Sequence, residues 1–168
     1  IYRLDYFHDT ISHVYTNMEL LLNNLSNPYL RQPIVNIFNH YVDHDSAFAV
    51  HMKPHQALLK NIYRQILDTL NLSTMDYESG TEINGVLELI TKLGGAPEMT
   101  DRTYKLLEAN YYQTRVVAVL ELLKQGKRSA KKTLRSFLAT RKRATNCCMS
   151  LMLMAIRIFY MQTLIKSK

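Results

Sequence analysis

Apolar residues recur every three to four positions along most of this chain, which is the spacing that places them on one face of an α-helix. The widest apolar stripe lies in residues 53–72 and consists of Leu58, Leu59, Ile62, Ile66, Leu67 and Leu70. The same period predicts helices over residues 10–25, 32–44, 53–72, 83–95 and 100–126. The expected fold class is therefore all-α.

Proline, glycine and threonine mark the expected helix boundaries. Pro28 ends the first predicted helix, because the residue before a proline is pushed out of the helical region. Pro33 and Pro54 suit the first turns of the next two helices, where the missing N–H costs no hydrogen bond. The later boundaries are predicted at Gly94-Gly95 and Gly126 as helix ends and at Thr100 as an N-cap.

The helical pattern stops at residues 73–80, which read STMDYESG and are mostly polar. We interpret 73–81 as a linker between an N-terminal helical subdomain, residues 1–72, and a second, basic helical subdomain, residues 82–168. The expected architecture is two small helical bundles joined by this linker.

Composition is ordinary for a soluble globular protein, with 47% hydrophobic and 21% charged residues among 168. The start at Ile1 favours a fragment of a longer protein. Cys147 and Cys148 are the only cysteines, so a disulfide framework is not expected and a reducing compartment is favoured. The apolar run 147–165 approaches transmembrane length, but Arg157 within it favours a buried amphipathic helix.

Charge is distributed unevenly. Residues 1–100 contain 6 Lys and Arg against 11 Asp and Glu, whereas residues 101–168 contain 15 against 3, and the last acid is Glu121. This asymmetry predicts an interaction surface in the second half, and it also permits head-to-tail association of copies.

The most basic segment is residues 124–143, in which nine of twenty residues are Lys or Arg and none is acidic. As a helix, 128–143 would carry a row of cations opposite an apolar side. Such a row binds polyanions by Coulomb attraction and counterion release, with strong salt dependence and little sequence preference. A merely solvated face is the alternative, but such faces usually mix both signs. The candidate residues for binding anionic lipid or RNA are Lys124, Lys127, Arg128, Lys131, Lys132, Arg135, Arg141, Lys142 and Arg143.

All six histidines lie in the first third of the chain. His40 and His44 would share a helix face, but two ligands do not complete a metal site, so we expect no metal there. A pair sensitive to pH is the other interpretation. No nucleophile motif, phosphate loop or argued carboxylate pair is present, so we expect neither an enzyme, nor a cofactor, nor a small-molecule substrate.

Four stretches, taken in order, resemble the matrix protein of influenza-type orthomyxoviruses. They are TNMELLLNNLSNPYLRQPIVNIFNHYV (16–42), AFAVHMKPHQALLKNIYRQILDTLN (47–71), EMTDRTYKLL (98–107) and ATNCCMSLM (144–152). Each motif is weak alone, and the resemblance rests on their common order and spacing. The chain looks like a divergent member, restricted to the N-terminal region of that protein.

The resemblance implies two helical bundles and a structural role. Such proteins self-assemble into a layer under the viral envelope, where they contact anionic lipid and ribonucleoprotein, and they also occur in the host cytoplasm, at the inner face of the plasma membrane and in the nucleus. The family's basic cluster falls where this chain reads EANYYQTR (108–115), and no histidine follows His55. The family's RNA-binding, nuclear-localisation and zinc residues are therefore not transferred.

Two other functions stay open at this stage. One is a helical RNA-binding module, such as a nucleoprotein fragment, which would bind RNA but not liposomes. The other is a virus-type helical regulator that binds a host partner in an apolar groove.

Overall fold

The computed structural model describes residues 13–127, together with 130, 132 and 133. These residues form α-helices and short 3-10 turns and contain no strand, which confirms the all-α class. The helices are α1 (Met18–Asn24), α2 (Pro28–His44), α3 (Ser46–Met52), α4 (Gln56–Thr69), α5 (Tyr77–Lys92), α6 (Thr100–Lys105) and α7 (Tyr112–Lys124), with 3-10 turns at Lys53–His55, Ala96–Met99 and Leu106–Glu108.

Helix α2 is longer than predicted, because it begins at Pro28 rather than near Pro33. Asn27 is its N-cap, and the Asn27 Oδ1 accepts a hydrogen bond of 3.0 Å from the Tyr29 N–H. Pro33 lies inside the helix, where it removes one backbone donor. Burial of the helix face that includes Phe38 outweighs the loss of this hydrogen-bond donor. The sequence around Pro33 did not indicate that the helix continues through it.

Helix α4 carries the predicted apolar stripe, although the segment before it differs from the prediction. Residues 46–52 are already helical as α3, and Pro54 lies in the 3-10 turn that joins α3 to α4. Leu59, Ile62, Ile66 and Leu67 are buried, while Leu58 and Leu70 are half-buried against the same core.

Glycines end α5 and α7 as predicted. Gly94 has a φ of 86°, a conformation that strains any residue with a Cβ. The N–H groups of Gly94 and Gly95 donate to the carbonyls of Thr91 and Ile90, each at 2.9 Å, which is the paired pattern of a Schellman motif. The same pattern closes α7 at Gly126, where φ is 75°.

The predicted single helix over residues 100–126 is two helices. The backbone of Ala109 is extended, and the Asn110 N–H donates across the fold to the Leu72 carbonyl at 2.7 Å. Thr100 is not an N-cap, because its hydroxyl instead donates to the Pro97 carbonyl at 2.7 Å.

The polar segment predicted as a linker is largely the first turn of α5. Asp76 and Ser79 form a capping box, in which each side chain binds the backbone N–H of the other. Gly80 is buried in this turn, and a Cβ there would collide with the ring of Tyr111. The polar residues Asp76 and Ser79 of this segment therefore cap α5, and Gly80 allows close packing against Tyr111.

The division of the chain into compact units differs from the predicted boundary at 73–81. Helix α5 packs against α2 and α4, which precede that boundary, and against α7, which follows it. The two compact units are residues 1–127 and residues 128–168. We call the first unit the body. Its core includes the fully buried side chains of Phe38, Phe48, Met52, Tyr63, Leu87 and Ile90.

Candidate functional site

Three of the nine candidate cations of segment 124–143 fall within the described residues: Lys124, Lys127 and Lys132. The other six lie outside them and stay predictions from the sequence. These six are Arg128, Lys131, Arg135, Arg141, Lys142 and Arg143.

The described cations of the segment differ in their surroundings. Lys124 is the last residue of α7, and its Nζ lies 2.7 Å from the Oε1 of Glu121, a carboxylate that is buried. That pairing ties the charge of Lys124 to its own helix. Lys127 and Lys132 are exposed, and Lys127 directly follows the glycine that ends α7. Of these three, Lys127 and Lys132 are the better placed for an external anion.

Elsewhere in the body, cations hold helices together. The Arg31 Nη1 of α2 lies 2.8 Å from the Glu82 Oε1 of α5, with side-chain exposures of 11% and 19%. Two further guanidinium nitrogens, Nε and Nη2, donate to the Leu25 carbonyl at 2.8 Å and to the Ser26 carbonyl at 3.2 Å. Because the donors point to these acceptors, Arg31 fixes the α1–α2 connection to α5 and is not available to a ligand.

Lys92 makes a second link between α5 and α2. Its Nζ lies 2.7 Å from the Asp43 Oδ2 and 3.0 Å from the Glu88 Oε1. Burial lowers the pKa of Lys92, but the hydrogen bonds to the two carboxylates outweigh burial, so its pKa is raised. The ammonium is therefore charged and engaged within the body.

Two further ion pairs join the later elements to α4. The Lys60 Nζ lies 2.8 Å from the Glu98 Oε2, and this hydrogen bond lowers the pKa of Glu98. The Arg102 Nη1 of α6 lies 2.7 Å from the Asp68 Oδ1 of α4. Both pairs contain an exposed carboxylate, so they align helices more than they stabilise the fold.

The change in charge along the chain lies close to the boundary between the two compact units, since the last acid is Glu121. Residues 1–127 contain all 14 acids with 11 Lys and Arg, a net charge of −3. Residues 128–168 contain 10 Lys and Arg and no acid, a net charge of +10. The second unit therefore has no carboxylate side chain of its own with which to pair its cations.

The rings of His40 and His44 stack on the exposed face of α2, with centroids 4.4 Å apart and planes at 29°. The Nδ1 of His44 lies 2.7 Å from the His40 carbonyl oxygen. Within the described part of the chain, no group of three or more His, Cys, Asp and Glu residues could hold a metal ion. The interpretation of this pair as sensitive to pH stays a prediction from the sequence.

A partly buried interaction around Asp45 was missed by the sequence reasoning. The Tyr15 hydroxyl donates to the Asp45 Oδ2 at 2.8 Å, while the Oδ1 caps α3 by accepting from the Ala47 N–H at 2.8 Å. The hydrogen bond from Tyr15 lowers the pKa of Asp45, and burial followed by that same bond raises the pKa of Tyr15 to about 12. Asp45 before a short apolar run was an available N-cap signal.

An open surface seam between α2 and α5 was also missed. It contains two neighbouring pockets of about 310 and 320 Å³. Tyr29 and Tyr77 contribute to it and are 90% and 65% exposed. No sequence signal pairs these two helices, because they are separated by a long stretch of chain.

No protein-family model, curated protein or solved structure matches this chain. The resemblance to orthomyxovirus matrix proteins therefore stays a prediction based on the quoted motifs. Among the described residues, no helix is long and apolar enough to cross a membrane.

Proposed function

We propose that this protein is a structural protein of the viral matrix type, whose basic segment 124–143 binds an anionic membrane surface. The single observation that carries the proposal is that the unit boundary at 127 and 128 follows the last acid, Glu121, so that the second unit contains cations without an acid. A unit with ten cations and no acid supports binding to a polyanion.

The use of charge in the body supports the same proposal. Arg31, Lys60, Lys92 and Arg102 each bind a carboxylate of another element, so they serve the fold. A surface of anionic lipid would attract each Lys or Arg of the basic segment by about 1 kcal/mol. Several such residues give useful affinity even when each contribution is small.

The proposed role is structural rather than enzymatic. In it, copies of the protein assemble into a layer beneath the viral envelope and bridge anionic lipid to viral ribonucleoprotein or RNA. Its proposed locations are the virion, the host cytoplasm, the inner face of the plasma membrane and the nucleus. These features rest on the family resemblance together with the charge distribution.

The test is co-sedimentation of the protein with vesicles that contain or lack phosphatidylserine, at 50 and 300 mM salt. A variant with Lys131, Lys132 and Arg135 changed to Glu removes the centre of the basic segment. A second variant with Lys53, Arg64 and Lys105 changed to Glu has the same net charge but alters the body, and none of the three forms an ion pair with a described residue. Circular dichroism verifies that both variants are folded.

We expect salt-sensitive binding to the phosphatidylserine vesicles that the segment variant loses and the body variant retains. Binding to neither vesicle would exclude the membrane role of this chain. A parallel titration with fluorescent single-stranded RNA covers the alternatives. RNA binding without vesicle binding would favour the RNA-binding module, and binding of neither would favour the host-partner regulator.

A further inference from the structure

The surface seam between α2 and α5 runs along both helices in the same direction. Its first pocket is lined by Pro28, Tyr29 and Gln32 of α2 and by residues 76–82 at the start of α5. Its second pocket continues with Asn36 and Asn39 of α2 and with residues 77–88 of α5. From Tyr29 to Asn39 the seam is about 15 Å long at the rise of an α-helix. We call this surface the α2–α5 seam.

Aromatic rings lie exposed in the α2–α5 seam. Tyr29 and Tyr77 are among the few large hydrophobic side chains of the described residues that solvent reaches extensively. Aromatic faces are good partners for lysine and arginine side chains, because the ring quadrupole attracts a cation. Two such rings beside a groove favour a cationic occupant.

The charges that line the α2–α5 seam are of one sign. Its two pockets are lined by four carboxylates and by no Lys or Arg. Glu82 and Glu88 are partly neutralised by Arg31 and Lys92. Glu78 is exposed and forms no ion pair with any described residue, so its full charge is available to a ligand.

We propose that the α2–α5 seam receives the basic segment of a second copy of this chain. Charge complementarity selects this occupant, because the body has a net charge of −3 and residues 128–168 a net charge of +10 without an acid. The sixteen residues 128–143 exceed the length of the seam whether they are helical or extended.

This contact joins two different surfaces, so each copy can both give a basic segment and receive one. A heterologous contact of this kind propagates into a chain of copies unless its rotation closes a ring. The inference rests on the proposed function, because it supplies the contact between copies that a matrix layer needs. It also means that lipid and a neighbouring copy would compete for the same cations.

The test is sedimentation velocity of the full chain at 50 and 300 mM salt, combined with charge reversal. Glu78→Lys places a cation in the α2–α5 seam, and Glu108→Lys is the matched control, since Glu108 is exposed, outside the seam and changes net charge equally. We expect salt-sensitive self-association that Glu78→Lys weakens about tenfold and Glu108→Lys leaves within twofold. Tyr29→Ala should weaken it as well, with the exposed Val50→Ala as its control.

A mixing experiment identifies the occupant. The Glu78→Lys variant has an altered seam and an unaltered basic segment. The variant with Lys131, Lys132 and Arg135 changed to Glu has an unaltered seam and an altered basic segment. Each variant alone should self-associate more weakly than the unaltered chain, whereas an equimolar mixture should form heterodimers. Association of Glu78→Lys at the level of the unaltered chain, or a mixture that stays monomeric, would overturn the inference.

Vesicle binding separates this inference from the proposed function. Glu78→Lys should still bind phosphatidylserine vesicles, because its basic segment is unchanged. An unaltered chain that binds these vesicles but stays monomeric at both salt concentrations would overturn the seam contact alone. An unaltered chain that self-associates but does not bind these vesicles would overturn the membrane role alone.

Discussion

The body and residues 128–168 differ in the number of acids that accompany their positive charges. In the body, Arg31 and Lys92 each bind carboxylates on a neighbouring helix at 2.7–2.8 Å, and Arg31 also binds two backbone carbonyls. Residues 128–168 have ten cations but not one acid in their own sequence. Charge in the body therefore orders helices, whereas the proposed function directs the charge of the basic segment at another molecule.

The body buries an extensive core, in which Phe38 and Phe48 are fully enclosed with ring centroids 5.8 Å apart. Its stability should therefore depend on packing and on a few buried polar contacts. We therefore expect substitutions in the body to change the free energy of unfolding, and substitutions in the basic segment to change the binding of anionic vesicles.

The largest expected effect on stability comes from the core. Phe38→Ala should lower the free energy of unfolding by about 3–5 kcal/mol, since it removes a buried ring and leaves a cavity. Urea denaturation followed by circular dichroism measures this loss. Leu20→Ala is the control, because Leu20 is exposed on α1 and its truncation should cost less than about 0.5 kcal/mol. Similar losses at both positions would contradict the assigned core.

Replacing a cation of the body should lower the free energy of unfolding by less than Phe38→Ala does, but by more than replacing a cation of the basic segment. Arg31→Met leaves Glu82 partly buried without its partner, and we expect a loss of about 2–4 kcal/mol. Lys132→Met should change stability by less than about 0.5 kcal/mol, because Lys132 is exposed. Equal losses in urea denaturation would break the comparison between the two regions.

The third effect concerns the end of α5. Gly94→Ala places a Cβ at a φ of 86° and should cost about 1–2 kcal/mol. The loss should come from backbone strain alone, because nothing apart from Gly94 itself and its two chain neighbours lies within 4 Å of a Cβ placed there. Gly94→Asn should cost less, since asparagine tolerates this conformation better. An alanine variant as stable as the unaltered chain in thermal denaturation would contradict the positive φ.

The smallest effect is the pH dependence that Asp45 contributes. Because the hydrogen bond from Tyr15 lowers its pKa in the folded state, its contribution is present above the ordinary value of 3.8 and is lost as pH falls through the lowered value. The contribution of Asp45 should therefore be lost progressively as the pH falls below about 5 and through the lowered pKa, and Asp45→Asn should make the fall in stability shallower. Tyr15→Phe should act in the same direction in the unaltered chain but add nothing in the Asp45→Asn background. If the free energy of unfolding, measured by urea denaturation, had the same pH dependence in both variants as in the unaltered chain, the interaction would be excluded.

Local patterns predicted those features that local physics determines. The apolar stripe of α4 and the glycine ends of α5 and α7 follow from side-chain period and from backbone freedom at Gly94 and Gly126. The break before α7 could not be predicted in this way, because residues 108–112 contain no strong helix breaker. It depends on a hydrogen bond between Asn110 and Leu72, which exists only in the folded chain.

The same limit applies to the domain boundary and to the α2–α5 seam. Gly80 suggested a linker, but close packing against Tyr111 explains it. The seam brings Tyr29 and Tyr77 to one surface through the packing of α2 on α5, a tertiary contact without a local signal. The basic segment was recognisable at once, because the absence of acids after Glu121 is visible in the sequence itself.

The most direct measurement of the central claim compares the two triple variants of equal net charge on phosphatidylserine vesicles. We expect the variant with Lys131, Lys132 and Arg135 changed to Glu to bind these vesicles on the order of 100-fold or more weakly than the unaltered chain. We also expect that Lys53, Arg64 and Lys105 changed to Glu weaken binding by about twofold at most, since their cations lie outside the segment. Equal losses in the two variants would contradict the account, because net charge alone, and not the basic segment, would then determine membrane binding.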